Sequence, residues 1–447
     1  MAAKAAHRPG VAFINLGCRV NRVETDLIAS QLTNAGCEVC GVEEADLIVI
    51  NTCAVTGEAQ AKTRKAARHA CGLPQRPIVI ACGCAASLFA DELRTAAPRL
   101  VVEPCKDAVA HRALELLGMA EGAPLDGSGQ AEGTGSHRAS PSPLAPTVSL
   151  TPTGRVRPGI KIQDGCDNRC TYCIVWKARG PSRALPSEDV VSAVREACAR
   201  GAHEVVLTGI NLGSYRAPQA DPLGEGATLD ALLAELLEQT TIDRLRISSI
   251  EPPDVNERLL TVMAGSDGRI APFLHVCLQS GCDQTLQRMG RLYTTTEFSR
   301  MVSQARSYLP AIAIETDVIA GFPGETDVEF ASSYDFCKSM GFSRMHVFRY
   351  SRRPGTPAAT YPNQVAPTTL AERAATLRKL ARQMRQDAAR SLDGITDNLL
   401  VIEPTRAVGG HLFDIVVPEA QAVGSYLQAT LKFNSNLNLS AEIEQVY

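Results

Sequence analysis

The densest group of potential metal ligands in the chain is a loop with three cysteines, Cys166, Cys170 and Cys173, at the spacing C-x3-C-x2-C. Soft thiolate ligands favour zinc, copper(I) or iron–sulfur clusters. A zinc site usually has a fourth nitrogen or sulfur ligand nearby, often from a second C-x2-C or an H-x3–5-H pair, and neither follows Cys173 closely. Three thiolates on a four-iron cube would instead leave one iron open to a substrate or cofactor. The spacing therefore predicts a metal site without naming the metal.

Three further cysteines each follow a predicted strand in the first quarter of the chain. The predicted buried strands are 11–16, 46–50 and 77–81, and the predicted helices are 22–34 and 57–70. This alternation is typical of a parallel sheet, whose ligand site lies beyond the carboxyl ends of the strands. Cys18, Cys53 and Cys84 all fall there. One such cysteine would be read as a small buried side chain, but three at equivalent positions favour one shared site.

The segment around the three-cysteine loop predicts six strands that alternate with helices. The predicted strands are 160–163, 203–208, 244–248, 274–278, 313–319 and 345–348, and the predicted helices are about 188–200, 229–238 and 295–308. Six β/α units are too few for a closed eight-stranded barrel, so we expect an open partial barrel with its site on the carboxyl face.

Glycine or polar residues follow four of these strands, in the sets 208–211, 248–251, 279–281 and 321–325. Glycine lets the backbone approach a ligand closely, and the polar side chains supply hydrogen-bond partners. Each set alone could be turn chemistry, but four sets at equivalent strand ends predict a ligand site.

The composition is that of an ordinary soluble protein of two or three domains, with 447 residues, a net charge of −3 and 45% hydrophobic residues. No run approaches 18 apolar residues and the first ten residues carry no apolar leader, so we expect neither a membrane span nor a signal peptide. Fifteen cysteines without a secretion signal indicate metal and redox chemistry in a reducing cytosol. The whole-chain charge does not indicate a nucleic-acid partner, so any RNA contact must come from a local basic patch.

The remaining segments predict a linker, a basic helix and a small β module. Residues 119–153 are rich in Gly, Ser, Pro and Ala, which predicts a flexible linker or disordered insertion. A helix over 368–392 carries the cations Arg373, Arg378, Lys379, Arg382, Arg385 and Arg390. Its simplest interpretation is a solvated helix face. The short apolar runs 399–402, 413–417 and 427–433 predict the strands of a small barrel. From Asp397 onward the chain has six acidic residues and two basic ones, which predicts weak RNA binding.

The motifs of the chain resemble those of a known family. The three-cysteine loop, with Tyr172 before its last cysteine, is similar to the signature of the radical SAM enzymes. The segments around it resemble the methylthiotransferases. The matching segments are Leu16–Thr25, Asn51–Thr56, Gly83–Ala86, Arg246–Pro252, Leu278–Gly281, Met289–Thr294, Thr316–Glu325 and His346–Thr356.

This resemblance implies two [4Fe–4S] clusters and S-adenosylmethionine as cofactors. It implies that Cys166, Cys170 and Cys173 hold the cluster that chelates S-adenosylmethionine and cleaves it reductively to methionine and a 5′-deoxyadenosyl radical. Cys18, Cys53 and Cys84 would hold an auxiliary cluster that carries the sulfur to be inserted. The implied cofactor-binding residues are Thr208, Gly209, Asn211, Arg183, Ser249, Glu251, Gln279 and Gly321, with Arg183 as a bidentate partner of the cofactor carboxylate.

The expected fold is α/β, with an N-terminal three-layer parallel-sheet domain, a central partial (β/α)6 radical SAM barrel and a small C-terminal all-β TRAM-like module. The expected boundaries are 1–118 for the N-terminal methylthiotransferase domain with the auxiliary cluster, 119–153 for the linker, 154–365 for the barrel, 366–394 for the basic connecting helix and 395–447 for the TRAM-like β domain.

The segment Gly17–Thr25 resembles the branch that adds a methylthio group to C2 of N6-threonylcarbamoyladenosine at position 37 of tRNA. The alternatives are methylthiotransferases acting on isopentenyladenosine-37 or on a ribosomal-protein aspartate and, in a different class, an iron–sulfur RNA-binding sensor. The motifs on the cofactor side argue against a sensor, because a scaffold needs no cofactor pocket. The implied partners are the anticodon loop of ANN-decoding tRNA and an electron donor such as a flavodoxin or ferredoxin. No membrane is implied, and the expected location is the cytoplasm.

Overall fold

The computed structural model describes residues 8–119, 155–217, 226–434 and 438–447. These form two compact units, one containing the described residues up to 119 and the other those from 155 onward. The predicted linker lies outside the described residues except for Met119. Within the described ranges, every helix is too short or too polar to cross a membrane.

The first unit is a parallel sheet between two helical layers, as predicted. Its strands are β1 (Gly10–Asn15), β2 (Glu38–Val39), β3 (Leu47–Thr52), β4 (Ile78–Gly83) and β5 (Val101–Val102), and its helices are α1 (Arg19–Asn34), α2 (Gly57–Cys71), α3 (Cys84–Leu88), α4 (Ala90–Ala96) and α5 (Val109–Leu116). The strand order is β2-β1-β3-β4-β5, with every pair parallel.

Both faces of this sheet are buried, which explains why its central strands are continuously apolar. Ile48 and Ile50 of β3 belong to a core that includes residues of α2 and α4. Leu47 and Val49 face the opposite core, which includes residues of α1 and α5. Cys82 of β4 is fully buried in that second core, and burial raises the pKa of its thiol to about 12. It is therefore a structural thiol, although it lies only two residues from Cys84.

The second unit opens with an incomplete barrel of parallel strands. Its strands are β6 (Gly159–Lys161), β7 (Gln163–Asp164), β8 (Arg183–Ala184), β9 (Glu204–Thr208), β10 (Arg244–Ile247), β11 (Ser249–Ile250), β12 (Phe273–Val276), β13 (Ala313–Ala320) and β14 (Arg344–Arg349). Its helices up to β14 are α6 (Val175–Arg179), α7 (Ser187–Ala199), α8 (Leu229–Gln239), α9 (Glu257–Ala264), α10 (Asp283–Met289), α11 (Thr295–Tyr308) and α12 (Asp327–Met340).

Seven of these nine strands form two parallel sheets, ordered β6-β9-β10 and β11-β12-β13-β14. Because only Ser248 separates β10 from β11, the two sheets continue one another as an open arc of six strand positions. The prediction of a partial (β/α)6 barrel is confirmed. Strands β7 and β8 form a separate antiparallel pair beside the three-cysteine loop.

A long helix, α13 (Pro367–Arg390), follows the arc and packs against β13 and β14. Its basic side chains are not one solvated face. Arg373 is 8% exposed and pairs with Glu325 at 2.8 Å and Asp327 at 2.6 Å. The guanidinium of Arg385 lies 3.4 Å from the centroid of the Phe413 ring, and burial lowers its pKa to about 10. Two of the six cations therefore anchor the helix.

The chain ends in a small closed β-barrel, as predicted. Its strands are β15 (Thr396–Glu403), β16 (Arg406–Val408), β17 (Asp414–Val416), β18 (Tyr426–Phe433) and β19 (Leu439–Val446), in the order β15-β16-β17-β19-β18. Leu399, Leu427 and Leu431 are fully buried in its core. Both basic residues of the barrel face acids, since Arg406 pairs with Glu403 at 2.9 Å and Lys432 with Glu442 at 3.4 Å.

A buried ion cluster joins the C-terminal barrel to the arc of strands. Glu204 accepts hydrogen bonds from Arg244 Nε at 2.6 Å and from Arg246 Nε at 2.9 Å, and all three side chains are at most 1% exposed. The same guanidinium groups donate to barrel carbonyls, Arg246 to Gly410 at 2.7 Å and Arg244 to Val408 at 3.1 Å. Burial would raise the pKa of Glu204, but the charges of Arg246 and Arg244 outweigh it and lower that pKa.

Candidate iron–sulfur and cofactor sites

In the first unit, the three predicted ligand cysteines follow three neighbouring strands. Cys18 immediately precedes α1, Cys53 immediately follows β3, and Cys84 is the first residue of α3, directly after β4. Strands β1, β3 and β4 are adjacent in the sheet, so their carboxyl ends lie at one edge. Cys18 is exposed, whereas Cys53 and Cys84 are 7% and 4% exposed.

Two buried asparagines hold this edge together. Asn21 Nδ2 donates to Asn51 Oδ1 at 2.7 Å and to the Thr52 carbonyl at 2.9 Å. Asn51 Nδ2 donates back to the Asn21 carbonyl at 2.8 Å and to Thr25 Oγ1 at 3.1 Å. Cys18 Sγ lies 3.2 Å from Asn21 Oδ1. The network fixes the start of α1 against the end of β3, and therefore fixes the loops that carry Cys18 and Cys53.

The turn before Cys84 requires a glycine. Gly83 has a φ of +91°, and a Cβ atom there would lie 2.3 Å from Asn51 Oδ1. A side chain at this position would therefore displace the asparagine network. The polar contacts of Asn21 and Asn51 were not part of the predicted site, although both residues stand in the motifs beside the cysteines.

The donor chemistry of the two cysteine trios fits iron–sulfur clusters, because soft cysteine thiolates are the ligands that hold such clusters. Within the described part of the chain, the one set of three His, Cys, Asp or Glu ligand atoms lying within 4.8 Å of one another is His275, Cys277 and Asp317, and it belongs to neither trio.

In the second unit, the three-cysteine loop is held by backbone hydrogen bonds. Cys166 N donates to the Gly180 carbonyl at 3.1 Å, Thr171 N to the Met289 carbonyl at 2.9 Å, and Cys173 N to the Cys170 carbonyl at 3.0 Å. Burial raises the pKa of Cys173 to about 12 and also raises that of Cys166. A metal binds the deprotonated thiolate, so loading of this site releases any proton that these thiols carry.

A cavity of about 750 Å³ opens beside Cys170 and has the volume of a cofactor site. Of the eight predicted cofactor-binding residues, Arg183, Asn211 and Glu251 line it. Arg183 Nε and Asn211 Oδ1 are buried there and have no hydrogen-bond partner among the described residues. Two orphaned polar atoms in one cavity fit a polar ligand such as S-adenosylmethionine, so the residues present fit the implied cofactor.

The Arg183 guanidinium is already engaged within the protein. Its Nη2 donates to Asp164 at 3.1 Å and its Nη1 to the Arg179 carbonyl at 3.1 Å. A bidentate contact with the cofactor carboxylate would have to replace these bonds, whereas the orphaned Nε can donate without that change.

The Thr208–Asn211 turn is positioned by a glutamine that was not among the predicted residues. Gln163 Oε1 accepts from the backbone N–H groups of Ile210 at 2.8 Å and Asn211 at 3.0 Å. Its Nε2 donates to the Gly165 carbonyl at 2.9 Å, at the entrance to the cysteine loop. An ideal Cβ at Gly209 would lie 2.8 Å from Gln163 Oε1, so the glycine makes room for this bridge. Thr208 is buried below the turn and does not line the cavity.

The other predicted cofactor residues do not line the cavity either. Ser249 Oγ lies 3.1 Å from His275 Nδ1, and His275 Nε2 lies 3.1 Å from Asp317 Oδ1. Gln279 has a left-handed φ of +67°, where β12 leads toward α10. Gly321 has a φ of +75°, and a Cβ there would lie 2.8 Å from Leu370 of α13, so close packing accounts for this glycine. The structure thus brings three of the eight residues to one cavity.

Comparisons with known proteins find relatives that span both units of the chain. Residues 10–103 match the model described as Uncharacterized protein family UPF0004, and residues 160–337 match the Radical SAM superfamily. The threonylcarbamoyladenosine tRNA methylthiotransferase MtaB of Thermotoga maritima is 34% identical over 378 residues, which cover 84% of this chain and 82% of that protein. The protein of the same name from Bacillus subtilis is 35% identical over 388 residues, covering 85% and 82%.

The chain belongs to the radical SAM methylthiotransferases. As a member of this family it is an enzyme that transfers a sulfur-containing group, and the family implies S-adenosylmethionine and [4Fe–4S] clusters as cofactors. The methyltransferase TsrM of Kitasatospora setae, solved with cobalamin and a [4Fe–4S] cluster bound, superimposes with a TM-score of 0.53 at 16% identity, covering 79% of this chain and 77% of that one. That likeness concerns the fold alone.

One further side chain of this methylthiotransferase reaches the cysteine loop. Arg291 Nη1 donates to Cys170 Sγ at 3.1 Å, its Nε donates to Tyr293 Oη at 3.1 Å, and it pairs with Glu251. Arg291 and Tyr293 line the cavity beside Glu251. Both stand in the motif Met289–Thr294, but their position after α10, more than a hundred residues beyond Cys170, gave no signal of this contact.

Proposed function

We propose that this enzyme adds a methylthio group to C2 of N6-threonylcarbamoyladenosine at position 37 of tRNA. In the net reaction, the C2–H bond of the adenine is replaced by a C2–S bond. One molecule of S-adenosylmethionine is cleaved reductively and carries off the C2 hydrogen as 5′-deoxyadenosine, with methionine as the other product, and a second molecule methylates the sulfur and leaves as S-adenosylhomocysteine. The observation that carries the proposal is the presence of two separate cysteine trios, one at three adjacent strand ends and one beside a cofactor-sized cavity. The similarity to enzymes named for this nucleoside supports the choice of substrate.

Each cysteine trio has its own role in this proposal. Cys166, Cys170 and Cys173 hold the cluster that meets S-adenosylmethionine, and Cys18, Cys53 and Cys84 hold the cluster that supplies sulfur. When bound, these groups supply the reducing electron, the radical, the sulfur and the methyl group. The chain itself provides the side chains of Arg183 and Asn211, each with an unpartnered polar atom, to orient the cofactor.

The other substrates remain outcomes of the test. The segment Gly17–Thr25 is the sequence feature that favours the threonylcarbamoyl branch over isopentenyladenosine or a ribosomal-protein aspartate. A sensor without turnover would not require the cavity beside Cys170 or its unpartnered polar atoms.

We place tRNA contacts on the exposed cations of α13. Arg378, Lys379 and Arg382 are exposed, whereas Arg373 and Arg385 are used within the protein. We expect the anticodon loop of ANN-decoding tRNA to be the ligand, a flavodoxin or ferredoxin to be the electron donor, and the cytoplasm to be the place of action. Replacing the three exposed cations with glutamine should weaken tRNA binding and reduce its dependence on salt, by a slope of roughly 2 to 3 if each cation meets one phosphate.

The deciding experiment is mass spectrometry of tRNA nucleosides from cells that lack the gene. The 2-methylthio derivative of N6-threonylcarbamoyladenosine should be absent, return with the wild type, and stay absent with Cys84→Ala or Cys173→Ala. Cys71→Ala is the matched control, because Cys71 is a partly exposed cysteine of α2 outside both trios, and it should restore the nucleoside. An unchanged nucleoside in the deletion strain would refute the substrate, and restoration by Cys84→Ala would refute the role of the first trio.

A further inference from the structure

The turn after α10 carries a buried cation to a ligand sulfur of the radical SAM loop. Gly290 ends α10 in a left-handed conformation with a φ of +72°, and the chain then reverses so that Arg291 lies against the cysteine loop. Thr171 fixes this approach, since its backbone N–H donates to the Met289 carbonyl at 2.9 Å and its Oγ1 to the Arg288 carbonyl at 2.9 Å.

The Arg291 guanidinium is held in one orientation. Its side chain is 4% exposed and pairs with Glu251, which is 19% exposed. Its Nε donates to Tyr293 Oη at 3.1 Å, and that hydroxyl lies 2.7 Å from the Cys277 carbonyl and 2.8 Å from the Leu278 carbonyl at the end of β12. With these contacts in place, Nη1 points at Cys170 Sγ at 3.1 Å. A side chain with three polar partners and little access to water has a fixed direction.

The sulfurs of Cys173 and Cys170 differ in the donors they receive. Cys173 Sγ accepts from the backbone N–H of Val175 at 3.4 Å, which is a long contact from a neutral donor. Cys170 Sγ accepts from a charged guanidinium at 3.1 Å. Hydrogen bonds with an ionised partner are about twice as strong as neutral ones.

We propose that Arg291 is a positioning residue that raises the reduction potential of the cluster held by Cys166, Cys170 and Cys173. The reduced cluster carries one more negative charge than the oxidised one. A buried positive charge that donates to a ligand sulfur therefore stabilises the reduced form more, and hydrogen bonds to sulfur and net charge are known determinants of such potentials. The proposal rests on the cysteine assignment made above and adds a residue that controls how readily the electron donor reduces the cluster.

The test is a redox titration followed by electron paramagnetic resonance of the reduced cluster, without added S-adenosylmethionine. It uses the full chain with Cys18, Cys53 and Cys84 replaced by alanine, so that one cluster signal remains. The reference potential is the one at which half of the cluster is reduced in the three-alanine protein with Arg291 intact. At that potential, Arg291→Gln should lower the ratio of reduced to oxidised cluster at least tenfold, which corresponds to a shift of 59 mV to more negative potential for one electron. Arg291→Lys keeps the positive charge but not the planar guanidinium, so its reduction potential should lie between those of Arg291→Gln and the protein with Arg291 intact.

Arg288→Gln is the matched control. Arg288 lies on α10, three residues before Arg291, and makes two hydrogen bonds to Glu329, at 2.8 Å and 2.9 Å. Arg288→Gln should leave the potential unchanged, although it also removes a paired arginine charge close to Arg291 in the sequence. The proposal is overturned if Arg291→Gln shifts the potential no more than Arg288→Gln, or if both Arg291 variants lose their iron and so show a purely structural role. Absence of iron from the unsubstituted three-alanine background would instead refute the cysteine assignment itself.

Discussion

Replacing Glu204 with glutamine should destabilise the second unit strongly. Glutamine keeps the shape of the side chain but removes the charge that compensates Arg244 and Arg246, and all three side chains are at most 1% exposed. Removing one partner of a buried ion pair costs about 3–5 kcal/mol, because an uncompensated charge stays behind. We expect a loss of that size in the free energy of unfolding, because the barrel carbonyls that still accept hydrogen bonds from Arg244 and Arg246 carry no negative charge to replace that of Glu204.

Urea unfolding followed by Trp176 fluorescence measures this loss. Trp176 is the single tryptophan of the chain and lies in the second unit, so its signal reports on that unit alone. With a slope of about 3 kcal/mol per M, the midpoint should fall by roughly 1–2 M with no change in slope.

Glu196→Gln is the control for this experiment, because it removes the exposed pair of Glu196 with Arg200 and should cost less than about 1 kcal/mol. A Glu204→Gln variant within about 1 kcal/mol of the wild type would show that the two guanidinium charges are compensated by other groups, and the reasoning would be wrong.

Three further predictions concern pH, backbone and the asparagine network. Burial would raise the pKa of Glu204, but Arg246 and Arg244 lower it. The stability that ionised Glu204 contributes is therefore complete above the ordinary carboxyl pKa of about 4.3 and is lost as the pH falls through the lower pKa of the folded state. The urea midpoint should accordingly fall less with acid in Glu204→Gln than in the wild type. Gly321→Ala should cost more than about 1 kcal/mol in the same assay, and more than Gly201→Ala, because both have positive φ but only Gly321 would meet Leu370. Asn51→Ala should lower the iron content of anaerobically purified protein toward that of Cys53→Ala, whereas Gln75→Ala, which alters an exposed side chain, should not.

Elements with strong periodicity were predictable from the sequence, and weakly patterned ones were not. Helix α11 was predicted with the observed bounds, Thr295–Tyr308, because its apolar residues recur along one face. Helix α12 was missed, since few of its residues are buried and Val328 is 76% exposed. It did carry a start signal in Thr326 and Glu329, which form a capping box. In the C-terminal barrel, β16 and β19 were missed because β16 is three residues long and β19 is largely polar.

The placement of the cysteines was more predictable than the lining of the cavity beside Cys170. The cysteines stand out by residue type, and topology alone brings Cys18, Cys53 and Cys84 to one edge. Strand-end glycines and hydroxyl residues also serve packing and orientation within the protein, since Gly321 makes room for Leu370 and Ser249 contacts His275. The bridging role of Gln163 depends on contacts to a turn 47 residues away, so its residue type gave no signal.

The buried ion cluster of Glu204, Arg244 and Arg246 was only partly predictable from the sequence. The predicted strands 203–208 and 244–248 are neighbours in a parallel arc, but aligning their predicted starts pairs His203 with Arg244, whereas the observed register pairs Glu204 with Arg244. The two-residue period of a strand places Arg246 on the same face as Arg244. The shared face of the two arginines was therefore derivable from the sequence, but their pairing with Glu204 was not, because a shift of one residue turns a side chain to the other face. The hydrogen bonds of the two arginines to barrel carbonyls 154 or more residues away were not derivable, because no pattern in either segment specifies which surface will cover that end of the sheet.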